Sequence, residues 1–359
     1  MKVSEELRQV VALSLAEDMG PVTFKRLLET FGDLPSIFRS AKERAVKDPS
    51  LFDKADEEIK KAHDNGAEII TQLDPRYPEA LKAIYDPPIL LYVKGRLPSE
   101  QSPKVAVVGS RLASLYGRRT AETISKGLAA AGAVVVSGMA VGIDSAAHEG
   151  ALSVDGVTIA VLGSGLSKIY PEQNIKMAEL IVKKGAVISE YPMDMLPLPG
   201  NFPIRNRIIS GLSQAVLVVE ARQKSGALIT ANLALEQGRD VFAVPGNVDS
   251  ARSEGTNSLL KEGAKIAMSA QDVLEELNVG IWPPTSEPGD GRLRSYQNID
   301  LSEAESKILS LFEREPVHVD AVVEDSGMST KDAISALSFL EVKGILKQLP
   351  GKHYVKADA

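Results

Sequence analysis

The chain has 359 residues, 44% hydrophobic and 25% charged, with no cysteine and a formal net charge of −7. That length exceeds one ordinary core and predicts two or three domains of a soluble globular protein. Without cysteine there is no disulfide framework and no thiolate metal site. With no apolar run of about 18–20 residues there is no membrane span, and MKVSEELRQV lacks the apolar core of a signal peptide. A cytoplasmic protein without membrane insertion is the expectation.

To about residue 70 the apolar spacing is helical. Leu7, Val10, Val11 and Leu15 form one stripe and Phe24, Leu27, Leu28 and Phe31 another, separated by Gly20-Pro21 and stopped by Gly32. A helix pair around a Gly-Pro turn resembles a SAM or helix-hairpin-helix module, and residues 1–75 are assigned to this helical domain. A strand-like run, Ile89 to Val93, follows.

From 104 onward strands and helices alternate. Candidate strands are Val105–Val108, Ala133–Ser137, Val157–Leu162, Ala186–Ser189, Ala215–Ala221 and Val241–Val244. Their continuous apolar character is that of strands buried on both faces of a parallel sheet. The predicted class is α/β, with residues 76–277 as an extended Rossmann-like, doubly wound domain. Residues 278–300 hold three prolines and three glycines and read as a linker. Residues 301–359 begin with the capping signature Ser302-Glu303-Ala304-Glu305. They give three helices, the third with Ile334, Leu337 and Leu340 inward, and then a hairpin turning at Pro350-Gly351. That order is a winged helix.

Ligands of an open parallel sheet bind at the carboxyl ends of its strands. Those ends are rich in glycine and small hydroxyl residues, whose backbone N–H groups form anion-binding nests, and some run into helix N-termini. Arg111, Lys168, Arg205, Arg207, Arg222 and Lys224 recur at this edge. Although the chain is acidic, residues 104–277 balance at 17 basic and 17 acidic side chains, so a local anion site is compatible with its charge. About half of these cations are expected to pair with Asp144, Glu190 or Glu220 and hold loops.

Catalytic patterns are thin. His63, His318 and His353 lie outside the α/β domain. His148 follows Asp144 by one helical turn, and Asp144 reads as an N-cap. Neither a P-loop nor a G-x-S-x-G elbow occurs. No metal and no cofactor are expected. Aromatics are scarce, and Tyr116, Tyr170, Tyr191 and Phe202 are expected mainly to anchor loops.

Seven stretches between residues 77 and 268 then occur in order: YPEALKAIYDPPILLYVKG, VVGSRLASLYG, VVSGMAVGIDSAAHEGAL, AVLGSGLSKIYPEQN, NFPIRNRIISGLS, VVEARQKSGALITANLALEQGRDVFAVPGN and EGTNSLLKEGA. Together they resemble the DNA-processing protein A (DprA/Smf) family. The resemblance implies a non-catalytic, homodimeric single-stranded DNA-binding protein that protects DNA taken up in natural transformation and helps load the RecA recombinase. It implies a DNA groove at Gly109, Ser110 and Arg111, and at Lys224, Ser225 and Gly226 with Thr230. Arg205, Arg207 and Lys168 are further contributors.

Two expectations stand beside it. The winged helix, net −3 with Lys331, Asp332, Glu341 and Lys343 on its third helix, is expected to contact protein or the neighbouring subunit more than DNA. The alternative function is a nucleotide phosphoribohydrolase on a similar Rossmann core, with Glu236 near the helix that carries the acid in such enzymes.

Overall fold

The computed structural model describes residues 3–39, 50–277, 302–312, 316–343, 345–349 and 352–356. The expected linker at 278–300 and the turn at Pro350-Gly351 lie outside them. The chain forms two compact units, Met1–Ile281 and Trp282–Ala359. Among the described residues no helix is long and apolar enough to cross a membrane.

The first unit opens with four helices, α1 (Glu5–Ser14), α2 (Pro21–Phe31), α3 (Leu34–Arg39) and α4 (Ser50–Asp64). Ser4 caps α1 by accepting the Leu7 N–H. Gly20 caps α2 ahead of a proline at its first position, and Gly32, at φ +81°, ends it. Val10, Leu13, Phe24, Leu27 and Ile37 form the core of this bundle. Val11, Leu51, Ala55 and Ile59 point the other way, against Ile69, Tyr92, Leu162 and Val187 of the sheet. The helices and the sheet therefore share apolar surface.

Next come β1 (Glu68–Thr71), α5 (Glu79–Lys82) and β2 (Leu90–Gly95). β1 falls where the helical reading ended. Gly66, at φ +69°, stops α4, and the β-branched Ile69, Ile70 and Thr71 then extend. The α/β succession follows: β3 (Lys104–Val108), α6 (Leu115–Ala130), β4 (Val134–Ser137), α7 (Ile143–Leu152), β5 (Thr158–Val161), α8 (Ile175–Lys184), β6 (Ala186–Ser189) and α9 (Asn201–Gly211). The unit closes with β7 (Ala215–Val218), α10 (Gly226–Glu236), β8 (Asp240–Ala243), α11 (Glu254–Lys261), β9 (Lys265–Ile266) and α12 (Ala270–Glu276).

All nine strands form one sheet in the order β1-β2-β6-β5-β4-β3-β7-β8-β9. The pairs β1–β2 and β2–β6 are antiparallel and the others parallel. Alternate residues serve opposite faces. Ala106, Val108, Val136, Val161 and Val218 pack toward α9 and α10, while Val105, Val107, Val135 and Leu217 pack toward α6 and α7. From β3 the chain winds outward through β4, β5 and β6. It then returns to the other side of β3 as β7, which sets a topological switch point between β3 and β7.

The second unit is a winged helix: α13 (Glu303–Leu309), β10 (Val317–His318), α14 (Val319–Ser326), α15 (Thr330–Val342), β11 (Leu346–Leu349) and β12 (His353–Lys356). Its sheet order is β10-β12-β11. Ser302 and Glu305 complete the capping box read from the sequence. Ile308, Phe312, Leu337 and Leu340 are buried, whereas Ile334, expected inward, is 46% exposed. Three residues before the buried Leu337, it sits at the border of the α15 apolar face rather than on it.

Candidate anion-binding cleft

At the switch point, the turn after β3, the N-terminal ends of α9 and α10, and residues from the loops after β4 and before α9 enclose a cleft of about 610 Å³. The β3 turn is fastened on two sides. The Ser110 N–H donates to the Glu220 carbonyl at 2.7 Å, and the Ser110 carbonyl accepts the Ile143 N–H at 3.2 Å. Gly109 is demanded by this packing, because a Cβ there would sit 2.6 Å from Ile143 Cγ1 and 2.9 Å from the Glu220 oxygen. Its lack of a side chain serves the scaffold rather than a close ligand approach.

Of the expected site residues, Gly109, Ser110, Arg111, Arg205, Lys224, Ser225, Gly226 and Thr230 all line this cleft. Arg222 lines it too, as do Tyr170, Phe202, Asn206 and Asp144. Arg111, Arg222 and Lys224 are exposed. The Arg111 guanidinium lies 5.1 Å over the Phe202 ring, whose centroid is 5.8 Å from that of Tyr170. Phe202 thus holds Arg111 across the mouth by a cation–π contact. Ser225 caps α10 by accepting the Ala227 N–H, so the positive end of an 11-residue helix faces the same space. Gly226 has nothing within 4 Å of a built Cβ and is open to a ligand.

Arg205 forms the floor. It is 3% exposed, donates to the Gly138 carbonyl at 2.8 Å and to the Val161 carbonyl, and leaves Nε without a partner. Burial pulls it down to about 10, with Asp144 opposing and Arg111 reinforcing that pull, so it remains a cation at neutral pH. A Cβ at Gly138 would meet this guanidinium at 2.6 Å, so a larger residue there would have to displace Arg205 from the floor.

Two expected contributors stand elsewhere. Arg207 does not line the cleft. Its side chain is 5% exposed and forks onto Glu190 at 2.6 and 2.7 Å while Nε reaches Asp86 at 2.9 Å. Burial works against its charge, and Glu190 and Asp86 outweigh it. It locks α9 to the end of β6. Lys168 is exposed but outside the lining, and the Ser164 hydroxyl donates to its carbonyl.

The carboxylates are also placed differently from their expected pairings. Glu220 accepts from the Ser114 backbone and hydroxyl at the start of α6 instead of pairing with a cation. Asp144 is the second residue of α7, whose cap is Gly142, and its Oδ2 accepts the Gly138 and Ala140 N–H groups at 3.2 and 3.3 Å. His148 is fully buried, with Nδ1 2.7 Å from the Thr158 hydroxyl, and burial pulls it down to about 3. Among the described residues no cluster of three or more histidine, aspartate or glutamate side chains could hold a metal. Glu236 ends α10, about 15 Å along the helix from its N-terminus at the cleft, and does not line it. Sequence reasoning undervalued Phe202. Its signal was position, three residues ahead of Arg205 in NFPIRNR beyond a strand's carboxyl end.

The DNA recombination-mediator protein A model matches residues 68–278, and the DprA winged helix domain model matches residues 296–352. The chain belongs to the DNA recombination-mediator protein A (DprA/Smf) family. Protein Smf of Escherichia coli strain K12 is 43% identical over 77% of this chain and 74% of that protein. Protein Smf of Synechocystis sp. PCC 6803 is 36% identical over 96% and 97%. Among solved structures, DNA processing protein A from Streptococcus pneumoniae aligns with a TM-score of 0.64 at 38% identity, covering 77% of this chain and 99% of that one. The Helicobacter pylori protein aligns at 0.53 with 34% identity, covering 58% and 95%. Both DprA/Smf matches in the family models, core and winged helix, correspond to units of the structure.

Proposed function

We propose that the cleft binds single-stranded DNA through its phosphates, without sequence preference and without catalysis. In this reading the protein protects incoming DNA and helps load RecA during natural transformation and recombination. The observation that carries it is the convergence of Arg111, Arg222 and Lys224, all exposed, with the α10 N-terminus over the buried Arg205. Family membership and the Helicobacter pylori relative, solved for its single-stranded DNA binding mode, support the ligand; the recombination-mediator family supports RecA as partner. A homodimer through the β8–β9 edge fits the exposed Val248, Ile266 and Met268 there.

The test is titration of a labelled oligonucleotide at several salt concentrations. Three phosphate contacts predict that log affinity falls with log salt at a slope of about −2, roughly −0.7 per contact. Arg111→Ala and Lys224→Ala should each weaken binding and flatten the slope by about 0.7. A salt-independent affinity would overturn the reading.

A further inference from the structure

Asp144 is the one carboxylate in the lining of a cleft that otherwise carries Arg111, Arg205, Arg222 and Lys224. It is 7% exposed, and Arg205 beside it spends its hydrogen bonds on carbonyls, so the two charges act on each other only through space. Its Oδ2 is engaged by two backbone N–H groups. Burial holds the carboxyl above its usual range, while Arg205, the two N–H groups and the Ser137 hydroxyl pull it back. Arg205, on the floor of the same cleft, is the one cation among these groups that oppose burial.

We propose that phosphate enters this cleft together with a proton, taken from solvent by Asp144. The inference rests on the reading of the cleft as phosphate-binding. A bound phosphate brings a negative charge toward a buried carboxylate and at the same time offsets the positive field of Arg205 on it. Both effects favour the neutral acid. Oδ2 is already occupied, so the proton goes to Oδ1, turning an acceptor into a donor on the wall of an anion site.

The other groups facing this point do not substitute for it. Ser137 of β4 does not titrate in this range. Arg205 of α9, Arg111 of the β3 turn, and Arg222 and Lys224 ahead of α10 supply the positive charge that a phosphate would engage. On α7 itself, His148 lies one turn on, fully buried, with Nδ1 held by Thr158. A group that gains protons on binding makes affinity highest at low pH and lowers it as pH rises.

The experiment is calorimetric titration of the full chain with a thymidine oligonucleotide at pH 7.5, in Tris and in HEPES at matched ionic strength. The expected result is an enthalpy difference between the buffers equal to uptake of up to about one proton. Log Kd measured by anisotropy from pH 6 to 8.5 should rise by the same fraction per pH unit, at most about tenfold per unit. Asp144→Asn, whose side-chain oxygen can still accept both N–H groups, should abolish the buffer difference and the pH dependence, whereas His148→Asn should preserve both. Equal enthalpies in the unmodified protein, or a difference that survives in Asp144→Asn, overturn the inference. An oligonucleotide that fails to bind overturns the phosphate reading itself; binding without proton uptake removes this inference alone.

Discussion

Arg205 and Arg207 stand two positions apart on α9, and the helix turns about 200° between them. One guanidinium therefore reaches the floor of the cleft, while the other reaches Glu190 and Asp86. The two arginines carry the same charge with different consequences. Removing the Arg207 side chain would leave Glu190, 13% exposed, without its cation. Arg207→Met is expected to destabilise the fold by about 3 kcal/mol, the lower end of the range for breaking a buried pair, because Asp86 is exposed enough to recover solvent. Urea denaturation measures this. At a temperature where the variant is folded, the salt slope of DNA binding should match that of the unmodified protein, in contrast to Arg111→Ala; a slope flattened by about 0.7 would return Arg207 to the phosphate contacts.

At the scale of elements, the cleft depends on how closely α7 approaches its neighbours. α7 reads IDSAAHEGAL, and Ala146, Ala147, Gly150 and Ala151 are all buried. A Cβ at Gly150 would lie 2.3 Å from the Glu122 carbonyl of α6. Alanine would gain about 1 kcal/mol in helix propensity, but the clash is with backbone and cannot be relieved by a rotamer change. Overpacking of this kind costs about 1–3 kcal/mol, so Gly150→Ala should be destabilised on balance and melt at lower temperature. An unchanged or raised Tm would show that α6 and α7 can separate freely. The seven apolar runs were legible as strands because burial on both faces leaves no polar alternation to misread. β1 and β9 were not, since four and two residues at the sheet margins carry too little pattern.

At the scale of the molecule, the chain divides into two units, and the cleft belongs wholly to the first. The winged helix carries net charge −3 over residues 301–359. Its third helix, α15, exposes Ile334 and Phe339, at 46% and 60%, alongside Asp332 and Glu341. Phosphate attraction needs cations facing the strand, and an acidic module with apolar residues on its reading helix is better suited to protein. A chain ending at Ile281 should keep single-stranded DNA affinity within tenfold of the full chain. A greater loss, measured on truncated protein with unchanged oligomeric state, would assign the winged helix a direct part in DNA binding.

By itself the sequence determined the α/β class, the strands that make up the parallel core, the winged-helix order, and the edge at which the cations gather. These follow from local periodicity and from the rule that parallel strands present ligands at their carboxyl ends. Which cations face solvent was decided only by the tertiary structure. Arg205, Arg207 and Lys168 look alike in the sequence, yet one lies under the cleft, one is consumed by two carboxylates, and one is exposed outside the cleft lining. The same holds for Gly109, a ligand-approach glycine by motif and a packing glycine by contact. Charge and backbone freedom are properties of a residue; their availability to a ligand depends on partners brought in from distant parts of the chain.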